Sequence, residues 1–508
     1  MKYLILPVLV LLSSTSIAQK KPANPKPYAA SITVDDLKRH LYAISDASME
    51  GRGTATEGER KAAAYIENHF KSLGLAPGHA GTYLQPFPVY RDSALIAKMT
   101  VNGKTLEQEK DFQPSATYAT ESSLYFSEVV YAGYGVVDST YNSYGNVNVA
   151  GKAVLIMESG PAGLKEGNGR FSPTGTGAKV GHARNKGASA LLIVSTDLPP
   201  SLFSRRMYAT LFRGIQHPPT YMISEKTAEL IVGSDWDAMR ESLKTNLPEP
   251  MVFKAEVAVS LEKRIEKLSS ANVLGVIEGT DKKDEYLVLT AHYDHLGKRG
   301  NDIYFGANDD GSGTVSVMEI AEAFMKAKAA GKGPRRSIIF MTVSGEENGL
   351  WGSAHYAAHP TVNPEKITAN LNIDMIGRID LDRKMPDSLS YVYIVGDDKI
   401  SSESTPLNEG MNNKYTKLGL DYKFNDPKDP QRIYYRSDHY NFAKAGIPII
   451  FYTDGAIRPD YHKPTDTPDK INYKLLTTRV QLIFYTAWEM ANREALMKRD
   501  RPLPTETR

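Results

Sequence analysis

With 508 residues the chain has room for more than one folding unit and for a sizeable core. Its apolar and charged fractions, 41% and 24%, are those of an ordinary globular protein, and a formal net charge of +2 offers nucleic acid no basic surface. Cysteine is absent, so disulfides contribute nothing to the stability of the fold.

The first residues read as a targeting segment. Lys2 precedes the apolar run Tyr3 to Leu12, and Ser16-Ile17-Ala18 supplies small residues for a signal peptidase. Residues 1–18 are therefore expected to be a signal peptide, and the protein to be exported to the periplasm or beyond. No later stretch approaches ~20 apolar residues, which predicts no membrane span in the mature chain. Residues 19–31, rich in Lys, Pro and Ala, are expected to be flexible.

Two amphipathic helical stretches follow, Asp35 to Ile44 and Gly58 to Leu73, the second closed by Gly74. Between them lies the Gly-rich turn M-E-G-R-G-T. From Thr82 to Phe112 the pattern shortens to strand-like pieces with a turn at Val101-Asn102-Gly103-Lys104. A β-rich inserted module is expected over 115–262, with strands at Ser123 to Tyr134, Lys152 to Glu158 and Ala188 to Val194 around a helix at Ala178 to Gly187. Its lone His182 and His217 read as structural.

Beyond it the chain alternates regularly. Strands are predicted at Asn272–Ile277, Tyr286–His292, Ser337–Val343, Asn370–Ile373, Tyr391–Val395 and Pro448–Tyr452. Helices are predicted at Gly313–Lys328, Asp438–Ala445 and Lys474–Met497. Such alternation predicts an α/β fold, a mainly parallel twisted sheet with helices on both faces. It would be assembled from 32–114 and 263–497, with a disordered tail at 498–508. Arg335-Arg336 reads as a solvated strand start.

Ligand-type residues sit at the ends of these strands, where sites form in such sheets. They are A-H-Y-D-H-L-G (His292, Asp294), G-A-N-D-D-G-S-G (Asp309), S-G-E-E (Glu346, Glu347), N-I-D-M-I-G (Asp374) and D-Y-H-K-P-T-D-T (Tyr461, His462). Two imidazoles among several carboxylates suit a pair of Zn2+ ions, with Mn2+ or Co2+ as substitutes. Three carboxylates against the charge of two divalent ions leave room for one bridging hydroxide, the expected nucleophile. His292 and Asp294, two apart in extended chain, face the same way, so Asp294 can hold the second imidazole nitrogen. Glu346 and Glu347 diverge for the same reason. One can bind metal while the other serves as general base, and their spacing leaves open which is which. Ser437-Asp438-His439 are consecutive and cannot form a nucleophilic relay; they are expected to start a helix, with Asp438 or His439 lining the pocket.

These fragments, together with M-E-G-R-G-T-A-T-E-G and S-D-H-Y-N-F-A-K-A-G-I-P, resemble the di-zinc exopeptidases typified by secreted bacterial leucyl aminopeptidases and glutamate carboxypeptidase-like proteins. V-A-G-K-A-V-L-I and A-R-N-K-G-A-S-A-L-L-I resemble the protease-associated (PA) domain inserted in many of them. The resemblance implies that His292 and Asp374 hold one zinc, Glu347 and His462 the other, and Asp309 bridges them. Glu346 becomes the base, Asp294 the partner of His292, and Tyr461 a donor to the scissile carbonyl oxygen. It also implies a cis peptide after Asp309. The implied activity is removal of N-terminal residues from peptides with a free amine. The alternatives are a carboxypeptidase, which would need an arginine clamp from Arg378, Arg432 and Arg436, or a non-catalytic binding protein.

Overall fold

The computed structural model describes residues 23–138, 141–161, 172–198, 207–211, 216–243, 249–383 and 389–502. The expected signal peptide lies outside them. The chain divides into two compact units, Met1–Pro86 with Ser270–Arg508, and Phe87–Ser269. The inserted unit is thus wider than the expected 115–262. The reason is the strand Leu84–Val101, whose Met99 and Val101 are buried with Leu106, Phe112, Tyr221 and Val257 in one core.

The first unit holds the expected mainly parallel sheet. Its order is Gly419–Asp421, Tyr391–Val395, Ile449–Thr453, Ile367–Ile373, Lys282–His292, Arg336–Val343, and then residues 273–277 of the strand Met251–Ile277. The pairings of Lys282–His292 with its two neighbours, of Ile449–Thr453 with Ile367–Ile373, and of Gly419–Asp421 with Tyr391–Val395 are parallel. The strand Tyr391–Val395 meets Ile449–Thr453 antiparallel, as residues 273–277 meet Arg336–Val343. Every residue of Arg336–Val343 is buried, the mark of a strand covered on both faces. Ile338 and Phe340 enter one core with Phe324, Phe484 and Trp488 of the helices Ser312–Ala329 and Tyr473–Asn492. Ile339 and Met341 enter the other with Tyr356 and Phe442 of Trp351–Ala358 and His439–Lys444. A period of two therefore feeds two helical layers.

The helix ends follow side-chain chemistry. Thr56 caps Glu57–Leu73, and the Glu59 carboxylate reaches back to the amide of Ala55 at 2.7 Å. Gly74 closes that helix in the left-handed conformation. Glu225–Val232 and Trp236–Ser242 of the second unit escaped the periodicity reading, as did Trp351–Ala358 and Ser404–Tyr415 of the first. Trp351–Ala358 is short, and Ser404–Tyr415 carries Pro406, Gly410 and three asparagines, all poor formers held helical by packing.

Other expectations are corrected. Residues 19–31 are not uniformly loose: Lys26–Ala29 is helical, Ala29 is buried, and Tyr28 stacks on Trp488 at 5.6 Å. In the tail, Arg499 donates to the carbonyls of Pro364 and Ile367 at 2.7 and 3.0 Å, so docking continues past 498; residues 503–508 lie outside those described. Arg336 is no solvated strand start. It is fully buried and donates to the carbonyls of Met490, Arg493 and Glu494 at the end of Tyr473–Asn492, where a cation offsets the helix dipole.

In the second unit Ser122–Tyr131, Ala153–Met157, Ala190–Val194 and Thr220–Ile223 pair in parallel succession. Phe112–Pro114 and residues 251–261 flank them antiparallel. The helix Thr176–Asn185 supplies the expected crossover. His182 accepts the Val137 amide at 2.9 Å, a structural bond as expected.

Two buried polar clusters brace the first unit. The M-E-G-R-G-T turn exists to place Arg52, which is fully buried. It donates to the carbonyls of Tyr293, Ile44, Phe305 and Gly306 at 2.8, 2.9, 2.8 and 2.8 Å, fastening the two segments that carry His292 and Asp309. A lysine cannot reproduce that fork, so Arg52→Lys should lower the unfolding free energy in urea by about 2–4 kcal/mol. A loss below about 0.5 kcal/mol would contradict this account of the turn.

Elsewhere His40 Nδ1 meets the Tyr65 hydroxyl at 2.7 Å, and His40 Nε2 lies 3.4 Å from Oε1 of the buried Glu319. Burial, reinforced by Glu322 and Asp36, pushes Glu319 up to about 8. A carboxyl raised in the folded state holds its proton more tightly there, so stability is lost as pH rises from its ordinary value through about 8. Thermal unfolding of Glu319→Gln should therefore fall less between about pH 6 and about pH 9 than that of the parent protein. Parallel profiles would rule the effect out.

Candidate metal centre

The site lies at the carboxyl ends of the parallel strands of the first unit. Lys282–His292 delivers His292 and Asp294, and Arg336–Val343 leads into Glu346 and Glu347. Ile367–Ile373 leads into Asp374, and the loop after Ile449–Thr453 carries Tyr461 and His462. Asp309 comes from the turn Ala307–Gly311 that opens Ser312–Ala329, and the Asp309–Asp310 peptide is cis, as the resemblance implied.

The expected ligands converge in two groups. His292 Nε2 lies 3.2 Å from Asp309 Oδ1, 3.7 Å from Asp374 Oδ1 and 3.8 Å from Glu346 Oε2. His462 Nε2 lies 3.2 Å from Asp309 Oδ2 and 3.0 Å from Glu347 Oε2. Asp309 thus presents one oxygen to each group, and the two adjacent glutamates separate as extended chain requires.

Hydrogen bonds behind the site fix these side chains. Asp310 accepts the amides of Gly313, Met375 and His292 at 2.8, 3.0 and 3.2 Å. Asp466 accepts those of Asn308 and Asp309 at 2.9 and 3.1 Å and pairs with Arg378 at 3.0 Å. Asp294 accepts the Thr54 hydroxyl at 2.7 Å and the Glu346 amide at 3.2 Å, tying the Glu346 segment to the strand that carries His292. Its expected bond to His292 is displaced: His292 Nδ1 is 3.1 Å from the Asp294 carbonyl and 3.6 Å from its carboxylate. The carboxylate is already engaged by Thr54 and Glu346, so the backbone oxygen orients the ring.

The donor set fits metal. His292 Nε2, Asp309 Oδ2 and Glu347 Oε1 are buried without a hydrogen-bond partner among the described residues, and cations at the site would satisfy all three. Two clusters of candidate donors are met, His292 with Asp309 and Asp374, and His295 with Asp309 and Glu347. The electrostatics agree. Burial opposes charge on His292 and His462, yet Glu346 and Asp374 hold His292 well above its usual range, and contacts with Asp309 and Glu347 raise His462 to about 10. Against its own burial, Asp309 is driven well down by His292 and His462. Glu346 moves the other way: burial lifts it well above the carboxylate range, Glu347 and Asp374 adding and His292 opposing. Its neighbour Glu347 goes the opposite way: burial and Asp309 push it up, but His295 and His462 outweigh them and lower it.

A pocket opens beside the metal groups. It is lined by the carboxylates of Asp309, Glu346 and Asp374, by Tyr461 and Arg436, and by the apolar Met375, Phe424, Ile433, Phe451 and Ile457. The Tyr461 hydroxyl accepts from Arg436 Nη2 at 3.1 Å. Asp438 and His439, expected to line the pocket, do not. Asp438 accepts the Ser353 hydroxyl, and His439 bonds the Tyr434 carbonyl at 2.8 Å and stacks on Phe451 at 4.5 Å. Asp438 does sense the site: burial raises it to about 7, with His292 opposing.

Sequence reasoning missed His295, Arg52 and Asp466. His295 stood inside the quoted A-H-Y-D-H-L-G fragment, but the alternation of extended chain turns it away from His292, a rule that lapses where the strand ends at His292.

Residues 272–487 match the model of Peptidase family M28. Among curated relatives, a probable zinc metalloprotease of Pyrenophora tritici-repentis is 29% identical over 209 residues, 36% of this chain and 42% of that protein. A probable leucine aminopeptidase of Trichophyton verrucosum is 28% identical over 226 residues, 43% of this chain and 57% of its own. The chain spans about half the length of the curated relatives it matches. In fold it is similar to an aminopeptidase from Aneurinibacillus sp. strain AM-1, with a TM-score of 0.55 at 20% identity over 93% of this chain and 97% of that one. Every ligand-type residue described above falls within the segment that matches the Peptidase family M28 model.

Proposed function

We propose that the protein is an exported aminopeptidase that binds two zinc ions and removes residues from the N-terminus of peptides. The observation that carries this reading is the set of buried, unpartnered donor atoms on His292, Asp309 and Glu347, of which Asp309 also lines a pocket shared with Glu346 and Tyr461. Export rests on the basic and apolar pattern of residues 1–18. Among the described residues no helix is long and apolar enough to cross a membrane.

When bound, the metal pair supplies Lewis acidity, easing loss of a water proton and polarising the scissile carbonyl. The chain's own residues do the rest. Glu346, driven up by burial, takes the proton of the attacking water on its carboxylate and returns it to the nitrogen of the leaving amine. Tyr461 accepts an N–H bond from Arg436, so its own proton is free to donate to the developing oxyanion. The carboxylates of the cluster favour the substrate's terminal ammonium over a terminal carboxylate, and the Met375, Phe451 and Ile457 side takes an apolar first side chain.

A carboxypeptidase reading finds less support. Arg378 is committed to Asp460 and Asp466, and Arg432 lies over the Tyr435 ring at 4.8 Å, leaving Arg436 without the cluster that a carboxylate clamp requires. A non-catalytic binding role leaves Glu346 and Tyr461, which share the pocket with Asp309, without a task.

Leucine or methionine anilides with a free amine should be cleaved, with aspartate and lysine anilides slower and N-acetylated anilides resistant. Cleavage of a blocked acidic dipeptide in place of the free anilides would refute the reading. Glu346→Gln should lower kcat by about 10²–10⁴-fold while leaving the metal content unchanged. Retention of more than about a tenth of the parent kcat would remove Glu346 from the role of base.

A further inference from the structure

The resemblance assigns each metal group a single imidazole, yet a third histidine stands in the cluster. His295 is buried, and its Nδ1 lies 2.7 Å from Glu347 Oε1 and 3.9 Å from Asp309 Oδ2. Close as this is, neither His295 Nδ1 nor Glu347 Oε1 has a hydrogen-bond partner among the described residues, so the contact lacks the alignment of an N–H donor to an acceptor. Two buried atoms able to offer lone pairs, this close to each other and to Asp309 Oδ2, are grouped as ligands of one ion are. The His462 ring completes the group on the other side of the Glu347 carboxylate, its centroid 5.9 Å from that of His295 and nearly perpendicular to it.

The His295 ring is not free to turn aside. Gly306, at φ +56, passes so close that a Cβ there would meet the imidazole at 2.5 Å, and the His295 amide donates to the Arg52 carbonyl at 3.0 Å. Gly306 and Arg52 thus hold position 295 as part of the site.

We propose that His295 ligates the second metal ion through Nδ1, beside His462, Glu347 and the shared Asp309. The proposal rests on the two-metal reading above. It makes the two positions unequal: His292, Asp309 and Asp374 offer one imidazole and two carboxylates, whereas the second position offers two imidazoles and two carboxylates. The extra nitrogen favours zinc over harder ions there and occupies a coordination position that would otherwise be open to solvent or substrate.

Loss of affinity alone cannot decide this, because removing a residue that merely positions a ligand already costs about 10–100-fold. A thiolate can decide it. Nδ1 sits on a short arm, so a cysteine at 295 reaches nearly the same point, and the chain has no other cysteine. The full-length protein, freed of metal by chelation, is titrated with Co2+ and followed by its visible and near-ultraviolet absorption. The parent should take up two equivalents in two steps. His295→Cys should also take up two and gain a thiolate-to-cobalt charge-transfer band equivalent to one Co–S bond. His295→Ala should weaken one step by at least about tenfold and leave the other within about twofold. Two bound cobalt ions in His295→Cys without the band would overturn the ligand assignment, as would unchanged affinities in His295→Ala. If His295→Ala loses both steps, the band in the cysteine variant is decisive. A parent protein that takes up fewer than two equivalents refutes the two-metal reading itself, and the inference with it.

Discussion

Everything at the centre of this molecule answers to the mutual repulsion of buried carboxylates. Asp309, Glu346, Glu347 and Asp374 converge on a few ångströms of space with little water to screen them, and Asp294 and Asp310 stand directly behind. Like charges at about 4 Å cost on the order of several kcal/mol even in a moderately polar interior. Three imidazoles reduce that cost only by binding protons. Cations offset it far better, so the last stage of folding and the loading of metal are linked equilibria.

The fold meets this constraint by separating the charged face from the apolar layers that support it. Four adjacent strands end at one edge of the sheet, and their alternating side chains are sealed between helices on both sides. The carboxylates behind the donors are neutralised by backbone amides: three on Asp310, two on Asp466 and one on Asp294. Arg52 adds a buried cation that ties down the loops on which the ligands ride. The candidate donors are thereby held in place by the protein itself, which would limit the reorganisation that metal binding must drive.

What could be read from the chain alone follows from these physical layers. Buried parallel strands such as Arg336–Val343 announce themselves as continuous apolar runs, and the polar residues just beyond them are exposed by the topology of the sheet. The eight expected site residues are gathered for that reason. Features set by long-range packing were not legible. Leu84–Val101 looks like any strand, and only the burial of Met99 and Val101 with Tyr221 shows where the inserted unit begins. Arg52 looks like a turn residue until four distant carbonyls surround it, and His295 obeys the alternation rule on paper while the chain turns beneath it. The Asp294 carboxylate, expected on His292, is claimed instead by Thr54 and the Glu346 amide, partners no spacing rule could name.

The central claim is that Asp309 stands between two cations. Crystals grown with zinc and measured on either side of its absorption edge test this most directly. The account predicts two anomalous peaks flanking the Asp309 carboxylate, one beside His292 and Asp374, the other beside Glu347 and His462. A single peak, or peaks distant from Asp309, would contradict it.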